Sequence, residues 1–275
     1  MSNFSDTAFG YHTDTVQRQF QARDETGPAA FLLPHLEPGM RLLDVGCGPG
    51  TVTLGLAHRI APASAVGCDL EAGMIARATQ LADDAGVGNV SFRTANILDL
   101  PFANDEFDVV FSSAVTEHLR NPQGAVAELA RVAKPGGLVA ITRTDWTGPL
   151  MSPDSPAMER FFTWLEAGFN AQGGSMNSGR HIRSMTRAAG LEDVEFFAGY
   201  INATTRERVH ALVSDYTQWM DNMDIFQQLI RDGRLTAQAL ADTRAAMWQW
   251  ADHPDAYLGV TVCRIVTRKP HPQPA

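Results

Sequence analysis

The sequence predicts an α/β protein: a parallel sheet with helices packed on both faces. The first observation is a series of short apolar runs, at 40–46 (MRLLDVG), 64–70 (SAVGCDL), 89–95 (NVSFRTA), 107–113 (FDVVFSS) and 137–143 (GLVAITR). Strands buried on both faces lose the apolar/polar alternation of a half-exposed strand, and these runs have lost it. The second is that helix-like stretches fall between several of them, Thr51 to Ile60, Ala72 to Ala85 and Pro122 to Val132. Repeated βα units of this kind build parallel sheets. The third is the closing run YLGVTVCRIVT at 257–267, whose β-branched residues suit a further strand.

Beyond TRTDW the alternation breaks. Met158, Phe161, Phe162, Leu165 and Phe169 recur at helical spacing and predict an amphipathic helix with an aromatic stripe. GRHIRSMTRAAGLEDVEFFAGY then predicts a helix, a turn at Gly190 and a strand from about Val194 to Tyr200. Val209, Leu212, Val213, Tyr216, Met220 and Met223 share one face of a further helix, and another runs from about Thr236 to Ala251 with Met247, Trp248 and Trp250. The proline-rich end KPHPQPA predicts a tail.

The chain has 275 residues, 44% of them hydrophobic, enough for a substantial core. Its 22 basic and 31 acidic residues give a net charge of −9, which repels a phosphate backbone. The densest basic groups, Arg180 to Arg187 and Arg206 to Arg208, are interrupted by apolar and acidic residues, so no nucleic-acid partner is expected. No basic flank leads into an apolar leader and no apolar run reaches about 18 residues, so a cytoplasmic protein without membrane contact is expected. Cys47, Cys68 and Cys263 form no C-x-x-C or Cys/His cluster, which points away from disulfides and from a metal site.

The glycine turn LLDVGCGPG carries the chemistry. Gly46, Gly48 and Gly50 make G-x-G-x-G, whereas the dinucleotide fingerprint needs its third glycine at 51, which is Thr51. Glycines there let the backbone turn sharply and approach a ligand, and Pro49 stiffens the loop. Asp44, two residues earlier, would repel a pyrophosphate and suits a cationic ligand. The amino group and sulfonium of S-adenosylmethionine (SAM) are such a ligand. Asp69, at the end of the next strand, can accept from both ribose hydroxyls. Asp69 alone would serve NAD equally, and a nicotinamide-dependent dehydrogenase remains the alternative that the combination with Asp44 and Thr51 argues against.

From Pro38 to Trp146 the sequence resembles the class I SAM-dependent methyltransferases, in particular the small-molecule group that includes the ubiquinone/menaquinone methyltransferases. LLDVGCGPG, VGCDLEAGMIARA, TANILDLPFANDEFDVVFSSAVTEHL and LARVAKPGGLVAI match its motifs in order. The resemblance implies a Rossmann-like sheet of seven strands ordered 3-2-1-4-5-7-6, with only the last antiparallel. It implies that Asp44, Gly46, Cys47, Gly48 and Gly50 hold the methionyl end and Asp69 the ribose. Leu70 and Met74 would face the adenine, Ile97 would lie on its ring, and the Ser112 backbone would meet the methionyl amine. Asn96 stands where the family often has aspartate at the adenine amino group, so its amide oxygen would have to point inward. The implied organisation is a helical lid segment at 1–37, a SAM-binding core at 38–146, a helical insert at 147–178, a core helix and strand at 179–201, a second helical insert at 202–256, the final strand at 257–268 and a tail at 269–275.

Methyl transfer from a sulfonium is an in-line displacement with an activated leaving group, so no obligatory catalytic residue follows. His118 is the candidate base, with a packed histidine under the loop as the alternative. Asp145 and Trp146 either line the acceptor pocket or anchor the insert, and Tyr11 and Arg23 are candidate substrate contacts from the lid. Phe161, Phe162, Trp164, Phe169, Tyr216, Trp219, Met220 and Met223 read either as an apolar acceptor pocket or as plain core. Aromatic surface on the inserts would serve a homodimer as readily as a lid. The expected activity is methyl transfer to an O, N or C atom of a small, partly hydrophobic metabolite, with S-adenosylhomocysteine (SAH) as coproduct. A SAM-binding protein repurposed for other chemistry or regulation is the second reading.

Overall fold

A computed structural model of the chain describes residues 24–272. Seven strands form one sheet in the order β3-β2-β1-β4-β5-β7-β6. They are β1 (Leu42–Val45), β2 (Ala65–Asp69), β3 (Val90–Thr94), β4 (Phe107–Ser113), β5 (Ala133–Ser152), β6 (Glu192–Ala203) and β7 (Tyr257–Arg268). β7 runs antiparallel to both of its neighbours, and the pairs from β3 to β5 are parallel. All four residues of β1 are buried, as its place between β2 and β4 requires.

Helices α1 (Thr51–Ile60) and α2 (Ala72–Ala85) follow β1 and β2, while α3 (Pro122–Val132) and the short α5 (Ile182–Ala188) follow β4 and precede β6. One face of the sheet buries Leu43, Val45, Val110 and Ile141 against Val126 and Leu129 of α3 and Ile182 of α5. The other buries Leu42, Phe111 and Ala140 against Leu56 and Ile60 of α1 and against Ala29 and Leu32. The described part of the expected lid, 24–37, therefore packs on the sheet, with a single 3₁₀ turn at Leu33–His35.

Two elements differ from their sequence expectations. β5 continues to Ser152 instead of ending near Arg143, because β7 pairs along it from Arg268 back to Tyr257, with a bulge between Asp145 and Leu150. The second insert is also broken: α6 (Arg206–Asn222) stops at Met223, which is extended, and α7 (Asp224–Arg231) starts directly after it. Together with α4 (Pro156–Gln172) and α8 (Ala237–Ala251) these helices surround one apolar cluster seated on Ala203, Leu258 and Val260. Side-chain oxygens of Ser155, Thr205 and Thr236 cap α4, α6 and α8 by accepting the amides of Met158, Arg208 and Ala239. No described helix is long and apolar enough to cross a membrane.

Candidate functional site

The carboxyl ends of β1, β2 and β4 open into a cleft, the place where ligands bind in open α/β sheets. Asp44, Gly46, Cys47, Gly48, Asp69, Leu70, Met74, Asn96, Ile97 and His118 all line it. Residues more than 70 positions apart in sequence thus meet at one opening.

The loop after β1 has spent its own amides. Gly46 and Cys47 both donate to the Cys68 carbonyl, at 2.7 and 3.0 Å, and Gly50 donates to the Cys47 carbonyl at 3.1 Å. Gly48 donates to Asp69 Oδ2 at 2.9 Å. A pyrophosphate cradle needs such amides turned toward the ligand, so this loop is poorly built for phosphate. Gly46 and Gly48 both have φ in the left-handed region, at +78° and +53°. A Cβ on Gly46 would strike Val115, whereas a Cβ on Gly48 would meet nothing within 4 Å among the described residues, which leaves them clear of its backbone on that side.

Asp44 is buried at 2% exposure beneath this loop and accepts from the Thr53 hydroxyl of α1 at 2.6 Å. Burial pushes its carboxyl up to about 7, the Thr53 bond opposes the rise, and the charge of Asp69 adds to it. Among the described residues no lysine or arginine lines the cleft. A carboxylate destabilised in this way gains most from a cation brought by the ligand. Asp69 accepts from Gly48 and, through Oδ1, from the Glu71 amide at 3.0 Å; burial raises its carboxyl and those two bonds pull it back. Both oxygens are thereby fixed in direction at the rim of the cleft.

Beyond Asp69 the wall is apolar: Leu70, Met74 and Ile97, the last two buried. Asn96 joins them with its side-chain carbonyl accepting the Leu98 amide at 2.9 Å. The carbonyl end, expected to point inward, is held by the neighbouring backbone.

Other expected residues fall elsewhere. Ser112 lies in β4 with its hydroxyl donating to the Val45 carbonyl at 2.9 Å, and Ser113 and Ala114 line the cleft in its place. Gly50 does not line it either; a Cβ there would come within 2.8 Å of Ala78 and Phe92, so this glycine serves the packing of α1 against α2 and β3. Asp145 is buried and accepts from the Arg180 guanidinium and amide and from the Thr147 hydroxyl and amide. Burial raises its carboxyl, but the Arg180 and Thr147 donors outweigh that and hold it below the usual range. Trp146 packs edge-on against Trp219 at 5.6 Å. Both residues anchor the insert instead of lining the cleft. Tyr11 and Arg23 lie outside the described residues.

His118 sits in a 3₁₀ turn, Thr116–His118, with its ring 5.5 Å from that of Phe169 on α4. Burial, reinforced by the nearby Arg143 charge, drives its pKa down to about 3, against a hydrogen bond with the Ala114 backbone. It is neutral near pH 7 and a weak proton acceptor. Behind it the buried Arg143 faces Glu117 at 3.9 Å. The aromatic stripes are core: Phe161 stacks on Tyr216 at 4.8 Å, and Phe162, Phe169, Met220 and Met223 are buried in the same cluster, with Trp164 and Trp219 partly so. Sequence reading missed Pro28, Phe111, Val115 and Leu119 as cleft residues; the apolar run of β4 was the available signal for Phe111.

Residues 43–141 match a family model described as a methyltransferase domain. A probable methyltransferase, ltbC, of Aspergillus luteorubrus is 29% identical over 94% of this chain and 96% of that protein. The Haemonchus contortus phosphoethanolamine N-methyltransferase 2, solved with phosphomonomethylethanolamine and SAH, superposes with a TM-score of 0.60 at 16% identity over 95% of this chain and 59% of that one. The [4+2]-cyclase SpnF superposes with a TM-score of 0.55 at 22% identity over 94% and 82%. The cleft fits S-adenosylmethionine, since it offers a buried carboxylate with no lysine or arginine lining the cleft among the described residues, a Gly48 backbone clear of the described side chains, a fixed carboxylate in Asp69 and an apolar wall beyond. The chain thus carries a methyltransferase domain, and the match together with the methyltransferase relatives supports a SAM-dependent methyltransferase with S-adenosylmethionine as its cofactor.

Proposed function

We propose that this enzyme methylates an O, N or C atom of a small, partly hydrophobic metabolite in the cytoplasm. Asp44, Gly46 and Gly48 hold the methionyl end of SAM, Asp69 the ribose, and Leu70, Met74, Ile97 and Asn96 the adenine. The observation that carries this seating is the pairing of a buried Asp44 with loop amides already spent on protein acceptors, which favours a cationic end over a phosphate.

SAM supplies a methyl group on a sulfonium, already activated for displacement. The chain's own task is to orient the acceptor and exclude water. Pro28, Phe111, Val115 and Leu119 supply apolar wall for that purpose, and this supports a partly hydrophobic acceptor. His118 serves as wall, since a group with a pKa near 3 takes up a proton poorly at neutral pH. The acidic net charge disfavours nucleic acid as acceptor.

Radiolabelled SAM offered with a panel of metabolites tests the proposal. Label transfer to a small molecule, with one SAH formed per methyl, is the expected result; transfer only to protein or RNA contradicts it. Because a protein named as a cyclase shares the fold, acceptor conversion without SAH formation would favour the repurposed reading.

A further inference from the structure

The sheet ends on one side in an edge that the described residues leave uncovered. Six large apolar side chains are exposed among them, and five, Val194, Phe196, Phe197, Tyr200 and Ile201, belong to β6. β6 pairs with β7 along one side only, so its 12 residues present an outer row of N–H and C=O groups. Edge strands are ordinarily guarded by charges, prolines or short length. From Phe196 to Ala203 this one has no charge and no proline. Arg183 and Arg264 hold their guanidinium groups 5.5 and 5.7 Å from the ring centres of Phe196 and Phe197, yet both rings stay exposed.

Only an extended chain can meet such a row group by group and cover side chains on both faces of the strand. The other edge of the sheet, β3, is five residues long. Seated on β6 of another copy it would leave a free edge at each end and build an open ribbon, whereas β6 on β6 closes after two copies. About a two-fold axis the two strands run antiparallel, and charge favours that direction. The acidic end of each strand, Glu192 to Glu195, approaches the start of α6 in the other, where Arg206, Arg208 and the positive end of the helix stand. Asp193 is taken by Arg183 and Arg187, Glu195 by His35 and Arg206 by Asp252. Glu192 and Arg208 are exposed and are the charges the arrangement brings together; Glu207, beside Arg208, opposes part of the attraction. With Ala198 on the axis, Phe196 meets the partner's Tyr200 on one face of the sheet, an aromatic cross-strand pair.

We propose that the chain forms a homodimer in which β6 pairs antiparallel with β6 of a second copy about a two-fold axis at Ala198, joining the two sheets into one. The apolar surface for a dimer thus lies on the edge of the core sheet and not on the helical inserts, whose rings are turned into their own cluster. The pairing is independent of the cofactor seating.

Sedimentation of the full chain at about 10 µM should give twice the mass of one chain. Hydrogen exchange should show β6 amides protected in the dimer and losing that protection on dilution. Ala198 is exposed and does not line the cleft. Ala198→Lys and Ala198→Asp each set like charges opposite one another on the axis and should weaken association by about 100-fold or more, with unchanged circular dichroism. Mixing the two variants sets opposite charges together and should restore the dimer. A monomeric wild type overturns the inference, whether its β6 exchanges freely or is protected by another segment or another protein. A dimer that survives both substitutions, or a mixture that stays monomeric, overturns it as well.

Discussion

The cleft at the ends of β1, β2 and β4 and the helical insert beyond β5 are both rich in apolar residues, yet they use them in opposite ways. In the insert the side chains close on one another: Phe161 is fully buried and stacks on both Tyr216 and Phe226. In the cleft, Leu70, Met74, Ile97 and Val115 form walls around a space kept open by Gly48 and floored by the buried Asp44. The contrast separates two tasks that look alike in sequence. A stripe at helical spacing says that a helix face is covered, without saying by what. A glycine turn flanked by carboxylates constrains its partner much more closely.

The largest expected effect separates packing from binding. Phe161→Ala should cost about 3–5 kcal/mol of stability, read from chemical denaturation, because it opens a cavity in a closed core. The same variant, below its unfolding transition, should bind SAH as wild type does. A loss of SAH affinity as large as the stability loss would join the insert to the cleft.

Asp69→Ala should do the reverse. Removing the carboxylate proposed to meet the ribose should weaken SAH about 100-fold by calorimetry, the equivalent of about 2.7 kcal/mol. A variant that binds within threefold of wild type would place the ribose elsewhere.

Next in size is a pH effect. The Asp44 carboxyl is pushed up to about 7 by burial, and a bound ammonium favours its ionised form. Binding SAH should therefore release a proton below pH 7. Affinity should rise with pH by up to about tenfold per unit below 7 and level off above it. Asp44→Asn, which cannot ionise, should flatten this profile; a flat profile in wild type would mean that the ammonium does not meet Asp44.

The smallest effect concerns His118. His118→Gln should lower the rate of transfer to an identified acceptor by less than about tenfold, whereas loss of a general base costs about 10²–10⁴. A loss in that range would restore His118 as the base.

How much of this was legible in the sequence follows the same contrast. The glycine turn, the two carboxylates and the strands β1 to β4 rest on local patterns and lie within a few residues of their expectations, whereas the strand order came from the family resemblance. Ser113 and Ala114 line the cleft beside the expected Ser112, and a strand buried on both faces carries no alternation in its sequence to show which of its residues reach the opening. The length of β5 was hidden because it is set by a strand more than 100 residues later. Asp145 read equally as pocket or anchor until Arg180, 35 residues away, was seen to hold it. Gly50 showed the need for a glycine, but the neighbours that require it, Ala78 and Phe92, come from other elements.

The central claim is that the glycine turn holds the charged methionyl end of the cofactor. Comparing SAH with 5′-methylthioadenosine, which keeps the nucleoside and lacks the amino-acid end, tests it most directly. Calorimetry should show wild type preferring SAH by about 30-fold or more, and Asp44→Asn losing most of that preference while methylthioadenosine binding is unchanged. Equal binding of the two ligands by wild type, or an undiminished preference in Asp44→Asn, would contradict the account.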